Sequence, residues 1–250
     1  MKSFLVAFNI EHKLFWRGFF GPFFTLVFPL LMLFLYGSIF GNEPDPVYGG
    51  YGAMDVSIPS YCAMVIAVTG IMVFPLTMAE YKSKKVYKRL DATSQGKNTV
   101  ILAQLAVNVL MSVIGIGLLV IGGLLFYNVQ IDGNPFIIAP ILLLGITNTY
   151  SFGFLLSAIA PDYKTAHVLC YLTYFIMIFV SGTTIPIERF PESLQTFAKI
   201  LPLTYVTDVF RAVFAGKPMT DYVSDIVIVA VLGLTFSAIA IAINRRKRWD

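Results

Sequence analysis

The chain has 250 residues, 57% of them hydrophobic and 13% charged, with a formal net charge of +4. Soluble domains carry about 25% charge, so a surface made from this chain cannot be solvated, and a water-soluble globule is excluded in favour of a bilayer protein. The 22 phenylalanines suit lipid contact or an apolar cavity.

The first element is MKSFLVAFNIEHKLFWRG, residues 1–18. It sets Phe4, Phe8 and Phe15 near one helical face and leaves Lys2, Lys13 and Arg17 where they can snorkel. This predicts a helix lying in the cytoplasmic interface. A cleaved leader is not expected, because the apolar run that follows is too long and lacks a small-residue cleavage pattern. Six apolar stretches then reach the roughly 20 residues that a spanning helix needs. They are residues 19–40, 58–79, 99–127, 136–158, 166–185 and 223–243. The far end of the third holds Gly115, Gly117, Gly122 and Gly123, which predicts close packing or bending there. A basic tail follows at 244–250.

Charge sets the orientation. With the N-terminus inside, 14 of the 18 basic residues and five of the 14 acidic ones are cytoplasmic. The expectation is therefore an all-α integral membrane protein of the plasma (inner) membrane, multi-pass, with both termini cytoplasmic. The same asymmetry accounts for the net positive charge without nucleic acid.

The spans hold almost no ionisable side chains; Asp225 lies near the outer end of the last. Ion-coupled carriers place such groups in mid-membrane, and intramembrane hydrolases or metal enzymes cluster them, so neither class is expected. Cys62 and Cys170 read as buried thiols, and His12 and His167 as interfacial polar residues, with no metal-ligand spacing. No phosphate loop occurs: Gly96-Lys97-Asn98 and Gly216-Lys217-Pro218 lack its glycines and its Ser or Thr. The chain is thus expected to bind no cofactor and to be no enzyme.

The one substantial cytoplasmic loop, 80–98, is strongly basic. Tyr81, Lys84, Lys85 and Lys88 follow helical spacing. Two readings fit: an anchor on anionic lipid, or a short helix that docks on a cytoplasmic motor. On the outer side, residues 186–216 form two short amphipathic pieces. Pro191 opens the first, with Leu194, Phe197, Ala198 and Leu201 on one side; Pro202 opens the second, with Leu203, Val206, Phe210 and Val213. Leu201 before Pro202 marks the corner. Asp208 and Arg211, three apart, are spaced to pair. Such pieces either lie flat on the outer surface or dip into the membrane as a re-entrant hairpin.

Pro186, Pro191 and the run PLTYVTDVFR (202–211) after span five, with Glu80 and Arg89-Leu90 in the first basic loop, resemble the membrane subunit of type-2 ABC exporters. The resemblance covers essentially the whole chain. Departures are Leu201, where an asparagine is common, Lys84-Lys85 for a small pair, and Ser94-Gln95-Gly96 for a proline-containing turn.

The resemblance implies a permease half that pairs with a second copy of itself. Each copy would rest on one of two ATP-binding-cassette ATPase subunits, which hold ATP and magnesium. Glu80, Tyr81, Lys84, Lys85, Lys88, Arg89 and Leu90 would form the ATPase-docking coupling helix. The resemblance implies that 186–216 is a re-entrant helical hairpin between spans five and six, in which Pro186, Pro191, Leu201, Pro202, Tyr205, Asp208 and Arg211 would form the outer gate. The uncharged, aromatic spans suggest an amphipathic or hydrophobic cargo such as a peptide, toxin or drug-like molecule. A polysaccharide or lipid-linked glycan is the rival cargo, and a motor-free scaffold or channel the rival class.

Overall fold

The structure, a computed structural model, describes residues 2–91, 96–184, 187 and 190–246. Helix α1 covers Lys2–Arg17. Six helices long and apolar enough to cross a membrane follow: α2 (Phe20–Phe40), α3 (Ala53–Ser83), α5 (Gly96–Tyr127), α6 (Pro135–Ile159), α7 (Tyr163–Val180) and α10 (Val223–Arg246). Between α3 and α5 stands the short helix α4 (Val86–Asp91); between α7 and α10 stand α8 (Glu192–Ala198) and α9 (Pro202–Phe214). No strand occurs among the described residues beyond one isolated bridge between Pro44 and Gly52.

Local chemistry sets the ends. Asn134 accepts the Phe136 amide, and Pro135 takes the first helical position of α6, where its missing N–H costs nothing. Asp162 accepts the Thr165 amide at the start of α7, and that bond holds its carboxyl below the usual carboxylate range. The second span runs 53–83, longer than the 58–79 read from hydropathy. At its start Asp55 accepts the Gly52 amide, and Asn42 Oδ1 accepts the amides of Met54 and Asp55. These caps let helix begin before the apolar run does. Span five stops at Val180 instead of 185, where Ser181 caps it and Gly182 takes φ +77°. Asn244–Arg246, expected in the tail, continue α10; residues 247–250 lie outside the described residues.

Helix α3 is the centre of the bundle: every residue from Ser57 to Met72 is buried. It is packed by α2, α5, α6, α7 and α9. Gly153 of α6 lies directly on the Gly70 carbonyl of α3, so closely that a Cβ there has no room. The apolar residues left outside, such as Leu31 and Leu35 of α2, Leu125 of α5 and Leu234 of α10, face the surroundings of the bundle. That is the inverted pattern a lipid solvent permits.

Spans one and two share a device not noticed in the sequence. Each carries Val-Phe-Pro-Leu, at 27–30 and 73–76. Each has a π-helical turn just before the proline, at Phe23–Val27 and Val68–Val73. The Phe28 amide reaches back to the Phe23 carbonyl, and the Phe74 amide to that of Thr69, five residues in both cases. A proline in mid-helix removes one N–H and crowds the carbonyl four residues earlier. The wider turn absorbs that crowding without breaking the span. The two turns touch each other within the bundle.

Candidate functional site

At the α1 end of the bundle, the residues expected to dock a motor divide between two helices. Helix α3 continues to Ser83, so Glu80 and Tyr81 belong to the last turns of span two and not to a loop. Lys85 has φ +54° and breaks the chain before α4, so Tyr81, Lys84, Lys85 and Lys88 do not share one helix as their spacing suggested. Burial explains the break: Tyr81 and Tyr87 both turn inward, one on each side of it, and a continuous helix carries residues six apart to different faces. Residues 92–95 of the expected loop lie outside the described residues.

What holds this end together is a polar knot around Glu11 of α1, which is 6% exposed. The Tyr81 hydroxyl donates to Glu11 Oε1 at 2.9 Å, and Gln104 Nε2 of α5 donates to the same oxygen at 3.4 Å. Gln104 Oε1 in turn accepts the Tyr87 hydroxyl of α4 at 2.9 Å. Four elements, α1, α3, α4 and α5, are thereby tied together. Apolar packing of Ala7, Tyr87, Val100 and Ala103, with Phe4, Phe8 and Leu90 against them, surrounds the knot. Burial pushes the Glu11 carboxyl above the usual carboxylate range, against the lowering effect of its two hydrogen bonds. On the outside, Lys85, Lys88 and Arg89 are exposed, and Lys84 pairs with Glu80 at 2.6 Å.

Beside the knot lies a cavity of about 600 Å³ between α1 and the adjoining ends of spans one, two, three and five. Glu11, Asn108, Phe15, Phe20, Tyr163 and Tyr171 are among its lining residues.

At the opposite end, α9 is enclosed by α3, α6 and α10, and nine of its residues are buried. Leu201 is extended (φ −83°, ψ 127°) and Pro202 opens α9, so the corner forms where the sequence marked it. Thr204 Oγ1 and Tyr205 Oη donate back across the corner to the carbonyls of Ala198 (2.6 Å) and Lys199 (2.8 Å). Pro191 precedes α8, whose only buried residue is Ala198. Pro186 lies outside the described residues.

Arg211 reaches away from its own helix. Its Nε donates to Ser60 Oγ of α3 at 2.7 Å, and Nη2 to the Gly182 carbonyl after α7 at 2.6 Å. Arg211 stands three residues after Asp208, its expected partner, and directs these two donors elsewhere. Both side chains carry further interactions. The physical reason is burial: a guanidinium on a helix enclosed by spans must satisfy several donors at once, and a hydroxyl and a carbonyl are aligned for them.

Sequence reasoning missed Glu11, Gln104, Asn108 and Ser60. A signal for part of this set existed. Gln104, Asn108 and Ser112 recur every four residues on one face of span three, and a polar stripe in a spanning helix marks buried hydrogen bonding. Ser112 extends the stripe to Thr69 Oγ1 at 2.6 Å and Tyr150 Oη at 3.0 Å. No group able to hold a metal ion occurs among the described residues.

Comparison with known proteins gives the arrangement its family. Residues 2–215, from α1 through the end of α9, match the model of the ABC-2 type transporter. Nodulation protein J of Rhizobium leguminosarum bv. viciae is 24% identical over 230 residues, covering 84% of this chain and 87% of that protein. Nodulation protein J of Rhizobium meliloti (strain 1021) is 25% identical over 202 residues, covering 73% and 76% respectively. The matched region contains five of the six spans, both ends of the bundle and every residue of the two candidate sites, and the chain therefore belongs to the ABC-2 type transporter family, as a type-2 ABC permease subunit.

Proposed function

We propose that the chain is the permease half of an ATP-driven exporter. Two copies would form the path, and each would rest on one ATP-binding-cassette ATPase that carries ATP and magnesium. The observation that carries this reading is the construction of α4. Its Lys88 and Arg89, with Lys85 just before it, are exposed, while Tyr87 is buried and locked through Gln104 to α1 and α5. A basic face on a rigidly held short helix suits docking and the transmission of motion, whereas a lipid anchor needs no such lock. The N-terminus and α4 are taken as cytoplasmic, from the distribution of basic residues.

On this reading α1 lies in the cytoplasmic interface, and α8–α9 dip from the outer face between the spans. Ser60 supports the second point. It lies seven residues into α3, about 10 Å along the helix, and Arg211 of α9 reaches it. The gate would be Pro191, Leu201, Pro202, Tyr205, Asp208 and Arg211. The cargo is amphipathic or hydrophobic, matching uncharged spans. A glycan head group is a second reading, favoured by the phenyl and phenol rings that line the cavity beside α1, since sugar faces stack on such rings.

The test is reconstitution with the cognate ATPase. Turnover should depend on this chain, and Lys88→Glu with Arg89→Glu should weaken ATPase association while leaving the permease folded. An ATPase that neither binds the chain nor responds to it would leave the motor-free scaffold or channel as the better account. Which compounds stimulate turnover then distinguishes lipid-like cargo from glycan.

A further inference from the structure

The cavity beside α1 contains two hydrogen-bond acceptors that the protein does not use. Asn108 is 5% exposed and lines the cavity. Its Nδ2 donates to the Gln104 carbonyl at 2.9 Å, which fixes the amide orientation, because a flipped amide would set oxygen against oxygen. Its Oδ1 is buried with no hydrogen-bond partner. Glu11, on the same cavity, takes both of its hydrogen bonds on Oε1, leaving Oε2 without one among the described residues.

Among the described residues Glu11 forms no ion pair. Its two partners, Tyr81 and Gln104, are neutral. Lys84, the lysine that also lines the cavity, is bonded to Glu80 at 2.6 Å, and its side chain is 66% exposed. His167 is stacked on Tyr171 with ring centres 4.4 Å apart. A buried carboxylate without a cation has lost its hydration uncompensated, and a cation that enters recovers much of that loss. The remaining lining includes Phe15, Phe19, Phe20, Tyr163 and Tyr171, rings whose faces attract cations.

We propose that this cavity binds the primary ammonium group of an amphipathic molecule. Glu11 is the counter-charge, Asn108 Oδ1 accepts a hydrogen bond, and the aromatic rings hold the flank of the head group and the start of its apolar chain. Three acidic-site requirements favour ammonium over hydroxyl. The ligand must donate to two acceptors, neutralise one carboxylate and fit among rings; a hydroxyl, with a single O–H to donate, meets the third only. The ammonium can belong to a bilayer amino-lipid or to a free amine. The site follows from the cavity itself and does not require an ATPase partner.

The test uses the full-length chain in neutral detergent micelles without ATPase. Octylammonium binding is followed by isothermal titration calorimetry, with octanol as the uncharged control. The expected result is saturable octylammonium binding, no matching octanol binding, and a loss of roughly tenfold or more in affinity in Glu11→Gln. Asn108→Ala should lose less, since it removes a neutral acceptor. Both variants must show a single cooperative thermal transition above the temperature of the titration, so that lost binding is not lost folding; Glu11→Gln removes an unpaired charge and should fold. Added phosphatidylethanolamine that competes with octylammonium identifies the bilayer as the source; failure to compete identifies a free amine, and either supports the site. Equal binding by Glu11→Gln, equal binding of octanol, or no octylammonium binding at all overturns it. None of these three results bears on whether the chain couples to an ATPase, which the reconstitution tests separately.

Discussion

Tyr81 Oη donates to Glu11 Oε1 at 2.9 Å across 70 residues of chain. The bond joins the end of the most buried span to the helix that precedes the first one. Any displacement of α4 is therefore felt by α1, because Tyr87 reaches the same carboxylate through Gln104.

Tyr81→Phe keeps the ring and removes this donor. Glu11 then stays buried with one fewer hydrogen bond, a cost of about 1–3 kcal/mol. The variant should assemble with its ATPase yet transport more slowly, since α1 no longer follows α3. Thermal unfolding together with single-turnover export checks both halves. Lower stability with unchanged export would mean the bond is structural only.

The pH dependence of stability has a definite sign. Burial raises the Glu11 carboxyl above its ordinary range, so the folded state holds the proton more tightly than the unfolded chain does. Stability contributed by this group is therefore present at low pH and falls as pH rises from the ordinary carboxylate value through the raised one. Tyr81, Gln104, Glu80, Lys84 and His167 surround or approach the group and remain in both proteins compared. Denaturation of wild type and Glu11→Gln from about pH 4 to about pH 8 should show wild type losing stability relative to the variant across that window. A difference that does not change with pH would contradict the assignment.

Arg211 uses two different nitrogens toward two different elements, Nε to Ser60 and Nη2 to Gly182. Lysine presents one ammonium at a single point and cannot reproduce that fork. Arg211→Lys should thus behave nearly as badly as Arg211→Ala. Hydrogen bonds to a charged group contribute about 1.5–3 kcal/mol each. The expected outcome is export impaired in both variants, with ATPase association retained, read by reconstituted transport and co-purification. Full export by Arg211→Ala would remove α9 from the gate.

Pro75→Ala restores an amide that can reach the Ile71 carbonyl four residues back. The π-turn at Val68–Val73 then has no steric cause, and that part of α3 should relax towards an ordinary α-helix. Hydrogen exchange of residues 68–77 should slow, and export should fall if the paired turns of spans one and two are hinges. Unchanged exchange would show that the turn is imposed by packing against α6 and not by the proline.

Apolar runs were enough for six spans, helical spacing for a helix over residues 2–17, and proline for the corner at Leu201-Pro202. The reason is that lipid leaves an apolar segment no alternative to a helix, and proline dictates its own backbone locally. Side-chain partners obey no such local rule. Two hydrogen bonds of Arg211 go to Ser60 and Gly182, which are 151 and 29 residues away and which no spacing on its own helix points to. Glu11 is the one acidic residue of α1. It became the centre of a knot because α3, α4 and α5 bring Tyr81, Tyr87 and Gln104 to it. Which helix faces enclose a polar group depends on how the helices pack, and burial then makes each of those groups take the nearest available partner.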